Sequence, residues 1–299
     1  MPDDAGPDPN PFARFCGWLD LPQRHRIAAT LPVLMTAAPD LKPDRSRSVL
    51  LYKCWKDVFA DVPDYPAQEI GDCTGFGFGH ANDLMQTIDA YLGNRDAGLI
   101  HRTCTEFHYA EGRKMAGLLG NQDGCFGSAV GRAMTHVGIV PYSSAGGPYS
   151  GARAKEWGRT GAPDDLVAEA AAWKLGAAVL LNSTDEMLAA LQAGKPCTIC
   201  TRHGFTTVRD AHGFCERQGS WGHCMFVAGY RAKPPGFLIC QSWGPDQPTG
   251  PLDLDQPPWS FWAHPPDMAV IIAEGDSYAL SGTPEFGPQA LPAEWSHAA

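Results

Sequence analysis

The pattern of apolar residues changes near the middle of the chain. In the first half, apolar residues recur at helical spacing in three stretches that each run up to a glycine, residues 74–92, 105–119 and 127–137. In the second half, four apolar stretches between Gly/Pro turns favour strands, residues 197–202, 222–231, 236–243 and 268–273. A loop rich in Gly, Ser and Pro, residues 141–163, separates the two halves. Helices first and strands later predict an α+β architecture with a helical lobe (about 67–145) and an antiparallel β lobe (about 165–275).

The ends of the chain differ from this central part. Residues 1–66 are interpreted as an N-terminal extension that packs on the domain 67–275, with the first dozen residues disordered and residues 12–20 a short helix. Residues 276–299 are interpreted as a C-terminal tail, the end of a stretch (residues 251–299) with many prolines and several aromatic residues. Both ends are candidates for docking in a larger assembly. No signal-peptide pattern opens the sequence, so we expect a cytoplasmic or virion-associated protein.

Composition excludes several classes of partner. The chain has 299 residues, of which 44% are apolar, and a net charge of -10 without any run of Lys or Arg. An acidic chain of this kind is a poor partner for nucleic acid or for an anionic membrane surface. No apolar stretch is long enough to cross a membrane. The ten cysteines are dispersed, several in apolar runs, and are interpreted mostly as reduced core residues.

One cysteine stands in a context that favours chemistry. Cys73 follows Gly71 and Asp72 and directly precedes the first predicted helix. The positive end of a helix dipole favours a thiolate at such a position. Gln68 lies five residues upstream, and its side-chain amide is a candidate donor toward the same point. We therefore predict that Cys73 is a nucleophile.

A nucleophilic thiol needs a base and a group that orients the base, and the β half supplies both types of residue. His223 begins an apolar strand, and Gln241 ends the next one, followed by Ser242 and Trp243. Neighbouring antiparallel strands can bring the Gln241 amide oxygen to one ring nitrogen of His223 and leave the other nitrogen for Cys73. Trp243 would shield that hydrogen bond from water.

These residues resemble those of the papain-like (C1-type) cysteine peptidases. Four features in order carry the resemblance: Gln68 with Gly71-Asp72-Cys73, then Gly124-Cys125-Phe126-Gly127, then Gly138-Ile139 before Pro141-Tyr142, and finally Gly222-His223 to Gly229-Tyr230 with Gln241-Ser242-Trp243-Gly244.

The resemblance implies a two-lobed fold with the active site in a cleft and hydrolysis of a peptide or protein substrate through a thioester. Cys73 would be the nucleophile, His223 the base and Gln241 the orienting residue, and Gln68 would hold the oxyanion. The substrate-binding residues would be Gly124, Gly127 and Trp243. Neither a metal nor another cofactor is expected.

The sequence departs from the family pattern at several positions. The orienting Asn of the family is Gln241, the aromatic residue after the nucleophile is Thr74, and Ser128 replaces a second glycine. Ile70 replaces a cysteine that forms a disulfide in secreted members. These departures leave open a second interpretation, a catalytically drifted scaffold that serves as a structural or binding module, for instance in a phage particle.

Two further alternatives use other residues. The stretch Asp72 to Phe76 also resembles bacterial cell-wall Cys–His endopeptidases, in which case His136 would be the base. Cys200 with His203, and His212 with Cys215, have the spacing of zinc ligands, and Cys197 lies nearby. Residues 197–203 alternate like a strand, however, so that positions three apart face opposite sides and do not share a metal.

Overall fold

The computed structural model describes residues 15–93, 95–284, 286–287 and 289–298. The predicted disorder of the first dozen residues lies outside these. The helices in the described part are α1 (Pro22–Ala28), α2 (Leu34–Ala37), α3 (Lys53–Phe59), α4 (Cys73–Leu92), α5 (Thr105–Ala116), α6 (Gly127–His136), α7 (Gly151–Thr160), α8 (Asp164–Ala170), α9 (Thr184–Gln192) and α10 (Pro265–Ile272). The strands are β1 (Arg47–Leu50), β2 (Ala177–Leu180), β3 (Cys197–Phe205), β4 (Arg217–Ala232), β5 (Pro235–Cys240), β6 (Ser260–Ala263), β7 (Tyr278–Ser281) and β8 (Ser296–Ala298). The α+β prediction is confirmed.

The strands form one antiparallel sheet centred on the long strand β4. Its order is β2-β7-β3-β4-β1-β8, and β5 pairs with the other edge of β4 and with β6. β3 pairs with the first part of β4, Cys200 opposite Cys224, and β1 takes over that edge where β3 ends. Strand β1 comes from the predicted extension, and β7 and β8 come from the predicted tail. Both end segments are therefore part of the same folded body as residues 67–275.

Helix α4 lies between the sheet and α5, and its glycines allow a close approach on both sides. A Cβ at Gly77 would lie 2.7 Å from the Sγ of Cys224 on β4. A Cβ at Gly75 would lie 2.5 Å from the carbonyl oxygen of Thr105 on α5. The side chains of Phe76 and Phe78 alternate with these glycines and are fully buried. The repeated Gly-Phe pattern thus fixes the first residue of α4, Cys73, against β4.

Two elements differ from the sequence prediction. Residues 268–273 were predicted as a strand, but residues 268–272 belong to helix α10, which has proline at its first positions and Asp267 in its first turn. A short apolar run fits a strand and a buried helix equally well, and the prolines were the better signal. The predicted loop 141–163 contains helix α7, capped by the Ser150 hydroxyl, which accepts from the N–H of Arg153 at 3.4 Å.

Candidate active site

Cys73 is the first residue of α4 and is fully buried. Its Sγ accepts two backbone hydrogen bonds, from the N–H of Gly17 and from the N–H of Cys224, each at 3.3 Å. Cys224 directly follows His223 on β4, so that the thiol lies beside the strand position that carries the predicted base. Gly17 belongs to the N-terminal segment, which the sequence did not place near the site.

The electrostatic surroundings keep this thiol neutral in the structure. Burial raises the pKa of Cys73 well above its ordinary value. Two backbone N–H donors and the N-terminus of α4 oppose that rise. Burial also raises the pKa of the preceding Asp72, which disfavours a negative charge beside the sulfur. Exposure of Cys73 to water would therefore remove the main cause of its raised pKa.

The imidazole of His223 is fully buried and stacks on the indole of Trp243, with ring centroids 4.7 Å apart and planes 25° apart. Burial lowers the pKa of His223 to about 3, so the ring is neutral. Neither of its ring nitrogens has a hydrogen-bond partner among the described residues, and the same holds for the amide oxygen of Gln241. Gln241 directly follows Cys240, whose register partner on β4 is Phe226. The predicted base and orienting residue are thus on adjoining strands, with their polar atoms unpaired.

Gln68 also lies at the site, but its amide group is already bonded. Its Nε2 donates to the carbonyl oxygens of Phe15, at 2.5 Å, and Ile70, at 2.8 Å. Its Oε1 accepts from the hydroxyl of Ser242, one residue beyond Gln241. The predicted oxyanion donor therefore holds a peptide carbonyl in this structure, that of Phe15.

Residues 15–19 cross the site in a largely extended conformation rather than as the predicted helix. Cys125 pairs with them in parallel: its N–H donates to the Gly17 carbonyl at 2.8 Å, and its carbonyl accepts from Leu19 N–H at 2.9 Å. On the other side, the N–H of Trp18 donates to the carbonyl of Gly222 at 2.9 Å. A Cβ at Gly17 would lie 1.8 Å from the carbonyl oxygen of Gly71, so only glycine fits there.

The predicted substrate-binding glycines stand beside this pairing rather than in it. The N–H of Gly124 donates to the Tyr109 hydroxyl at 2.9 Å, and the N–H of Gly127 donates to Asp276 at 2.8 Å. Cys125, between them, supplies the edge that binds an extended chain. The sequence analysis named Cys125 only as part of a motif, because a main-chain pairing role leaves no signal in the residue type.

The two alternatives based on other residues lose support. His136 is the exposed last residue of α6, and its Nδ1 lies 3.1 Å from the carbonyl of Arg132. The other end of α6 is at the cleft, about 14 Å away at 1.5 Å per residue, so the structure does not favour His136 as the base. Residues 197–203 belong to β3 as predicted, and within the described ranges no group of three His, Cys, Asp or Glu could hold a metal ion. No helix in the described part is long and apolar enough to cross a membrane.

The fold is similar to those of solved cysteine proteases. The chain aligns with xylellain, a cysteine protease from Xylella fastidiosa, over 90% of its own length and 96% of that chain, with a TM-score of 0.60 and 16% identity. It aligns with procathepsin B S9 from Trypanosoma congolense over 93% and 88%, with a TM-score of 0.60 and 12% identity. It aligns with the digestive procathepsin L 3 of Tenebrio molitor over 90% of its own length and 76% of that chain, with a TM-score of 0.55 and 14% identity. No protein-family model and no curated protein sequence matches. The chain has the papain-like α+β fold.

Proposed function

We propose that this protein is a papain-like cysteine peptidase that cleaves peptide bonds with Cys73, His223 and Gln241. The observation that supports this most directly is the extended segment across Cys73. Its main chain pairs with Cys125 on one side and with Gly222 on the other, while one of its amides contacts the thiol. A cleft that binds an extended peptide against a thiol at a helix N-terminus has the requirements of thiol proteolysis.

In the proposed reaction, His223 takes the proton of Cys73 and the thiolate attacks the carbonyl carbon of the scissile bond. The negative charge that develops on the carbonyl oxygen is held by the Cys73 N–H and by the Gln68 amide, which holds a peptide carbonyl in this structure. The imidazolium of His223 then protonates the leaving amine, and water hydrolyses the thioester. The unpaired amide oxygen of Gln241 accepts the N–H of the imidazole and fixes its orientation.

The described conformation is a self-blocked form of this enzyme. Residues 15–19 cover the thiol, satisfy the Gln68 amide and use the edge of Cys125 that a substrate would need. The segment pairs with Cys125 in parallel. Hydrolysis of another chain therefore requires that residues 15–19 leave the cleft.

A second function is a binding module that has lost catalysis. The observation in its favour is that the ring nitrogens of His223 and the amide oxygen of Gln241 are all unpaired in the described part of the chain. The association with a phage particle or other assembly remains a prediction. In a binding module, residues 15–19 would be a permanent structural element and would not leave the cleft.

Peptide hydrolysis by chains that carry Gly17→Ala separates these possibilities, because the added Cβ prevents residues 15–19 from seating. We expect turnover of a fluorogenic peptide mixture, and we expect Cys73→Ala or His223→Ala in that background to lower it by about 1,000-fold or more. The matched control is His136→Ala, which should keep full turnover. Equal turnover in the Cys73→Ala chain would exclude the proposal, and loss of turnover on His136→Ala alone would restore the rival base. No turnover in the Gly17→Ala parent, with Cys73 unreactive toward an epoxide probe, would favour the binding module.

A further inference from the structure

The side chain of Trp18 fills a pocket next to the thiol. Trp18 directly follows Gly17, whose N–H contacts Cys73, and its indole is 5% exposed. The indole N–H donates to Oδ2 of Asp276 at 2.7 Å. Asp276 is fully buried and lies two residues before β7, so the sheet holds its carboxylate at the bottom of the pocket.

The carboxylate of Asp276 is built into the protein independently of the segment. Its oxygens accept from the N–H of Gly127 at 2.8 Å, the N–H of Ser128 at 2.9 Å and the hydroxyl of Tyr278 at 2.9 Å. The first two donors are at the N-terminus of α6, which stabilises a negative charge. When the indole leaves, Oδ2 keeps only the bond from Gly127 and has room for a second donor.

The wall of the pocket favours some side chains over others as the second donor to Asp276. The guanidinium of Arg24 lies over the indole, its Cζ 5.4 Å from the ring centroid, and Arg24 is itself nearly buried. It is fixed by an ion pair with Asp20 at 2.7 Å. A cation stabilises an aromatic face but repels a second cation such as lysine or arginine. An aliphatic side chain, or phenylalanine, would fill the space and leave Oδ2 of Asp276 with the Gly127 donor only.

We infer that Asp276 is a specificity-determining residue and that this pocket selects tryptophan in the substrate, its ring beneath Arg24 and its N–H on Asp276. This inference depends on the proposed function in one respect, because a substrate must take the place of residues 15–19. Tryptophan alone among the common side chains combines a large aromatic face with an N–H donor at its edge.

The test measures binding rather than turnover, in a chain with Gly17→Ala and Cys73→Ala. The probes are fluorescent peptides that copy residues 15–20 with serine for the cysteine, and they differ only at the position of Trp18. One carries tryptophan, one carries 3-benzothienylalanine, which has the same shape but sulfur instead of N–H, and one carries arginine. We expect the tryptophan peptide to bind about tenfold or more tightly than the benzothienyl peptide, and more tightly than the arginine peptide. Asp276→Asn should reduce the difference in affinity between the tryptophan peptide and the benzothienyl peptide.

Equal affinity of the tryptophan and benzothienyl peptides would overturn the role of Asp276, and tightest binding of the arginine peptide would overturn the substrate class. Absence of binding by all three to a folded protein would overturn the pocket itself. Because the comparison is made between peptides, it does not depend on the folding of an Asp276 variant. Failure of the proposed function would leave these affinities intact while turnover is absent, whereas failure of this inference alone would leave turnover without a preference for tryptophan.

Discussion

Replacement of Gly17 by alanine should uncover Cys73 without changing any residue that does chemistry. The added Cβ would lie 1.8 Å from the Gly71 carbonyl oxygen and 2.4 Å from its carbon, both backbone atoms that cannot rotate away. The segment must therefore lift off locally. Gly287→Ala is the matched control, because a Cβ at Gly287 meets nothing within 4 Å.

The size of the effect follows from what the segment gains in the cleft. Burial of Trp18 contributes about 3–5 kcal/mol, and the four backbone hydrogen bonds of Gly17, Trp18 and Leu19 contribute about 1 kcal/mol each. Ordering residues 15–19 costs about 1 kcal/mol per residue. The closed form is thus favoured by about 2–4 kcal/mol, which slows any reaction of Cys73 with an external reagent by about 30- to 1,000-fold.

The assay is the rate of iodoacetamide labelling near neutral pH, followed at each cysteine by peptide mass spectrometry. We expect Gly17→Ala to accelerate labelling of Cys73 by about 30- to 1,000-fold, while Cys197 and Cys240, which are buried in the sheet, stay unlabelled. Labelling of Cys73 at the wild-type rate in Gly17→Ala would refute the account of the cover. Equal acceleration by Gly287→Ala, or labelling of the sheet cysteines, would show general loosening instead.

Three further predictions concern the orienting residue, a buried histidine and the packing of α4. In the Gly17→Ala background, Gln241→Ala should lower kcat about 10- to 100-fold with little change in KM, whereas Gln241→Asn should retain most activity; equal kcat values for the two variants would contradict the orienting role. Burial lowers the pKa of His108 to about 3, below an unfolded value of about 6.5, so the unfolded state binds more protons and stability falls as pH drops below about 6.5. His108→Leu removes this pH dependence. In urea unfolding, the wild type should lose about 2 kcal/mol more of its free energy of unfolding than the variant between about pH 7 and 5. Equal losses in the two proteins would contradict the contribution of His108. Gly77→Ala, with its Cβ 2.7 Å from the Cys224 sulfur, should destabilise the fold by about 1–3 kcal/mol in thermal unfolding, and a cost as small as that of Gly287→Ala would contradict the packing of α4 on β4.

The parts of the fold that the sequence predicted are those whose signals are local. Helices α4, α5 and α6 begin at or within one residue of their predicted starts. The three central strands are also where apolar runs between turns placed them. The prediction that His223 and Trp243 lie close together required one further assumption, that consecutive strands pair.

The parts that could not be predicted depend on partners far away in the sequence. Nothing in residues 15–19 indicates an extended cleft ligand, because their partners are Cys125, Gly222 and Asp276. Likewise, the short strand β1 is defined by pairing with β4 and β8, and β8 by pairing with β1, rather than by their own sequence patterns. The glycine at position 17 is a signal only once its contact with Gly71 is known.

The covering segment controls the reactivity of Cys73 in two ways that act together. It excludes substrate and reagents from the cleft, and it excludes water from the thiol, which is the first cause of the raised pKa of Cys73. Burial against Trp243 keeps His223 neutral, and its ring nitrogens have no partner among the described residues. An ion pair between thiolate and imidazolium is disfavoured inside this dry site, because neither charge has solvent and the imidazolium has no hydrogen-bond acceptor on its ring nitrogens. Departure of residues 15–19 would admit substrate and water to Cys73 together, so the same movement that opens the cleft would also lower the pKa of its thiol.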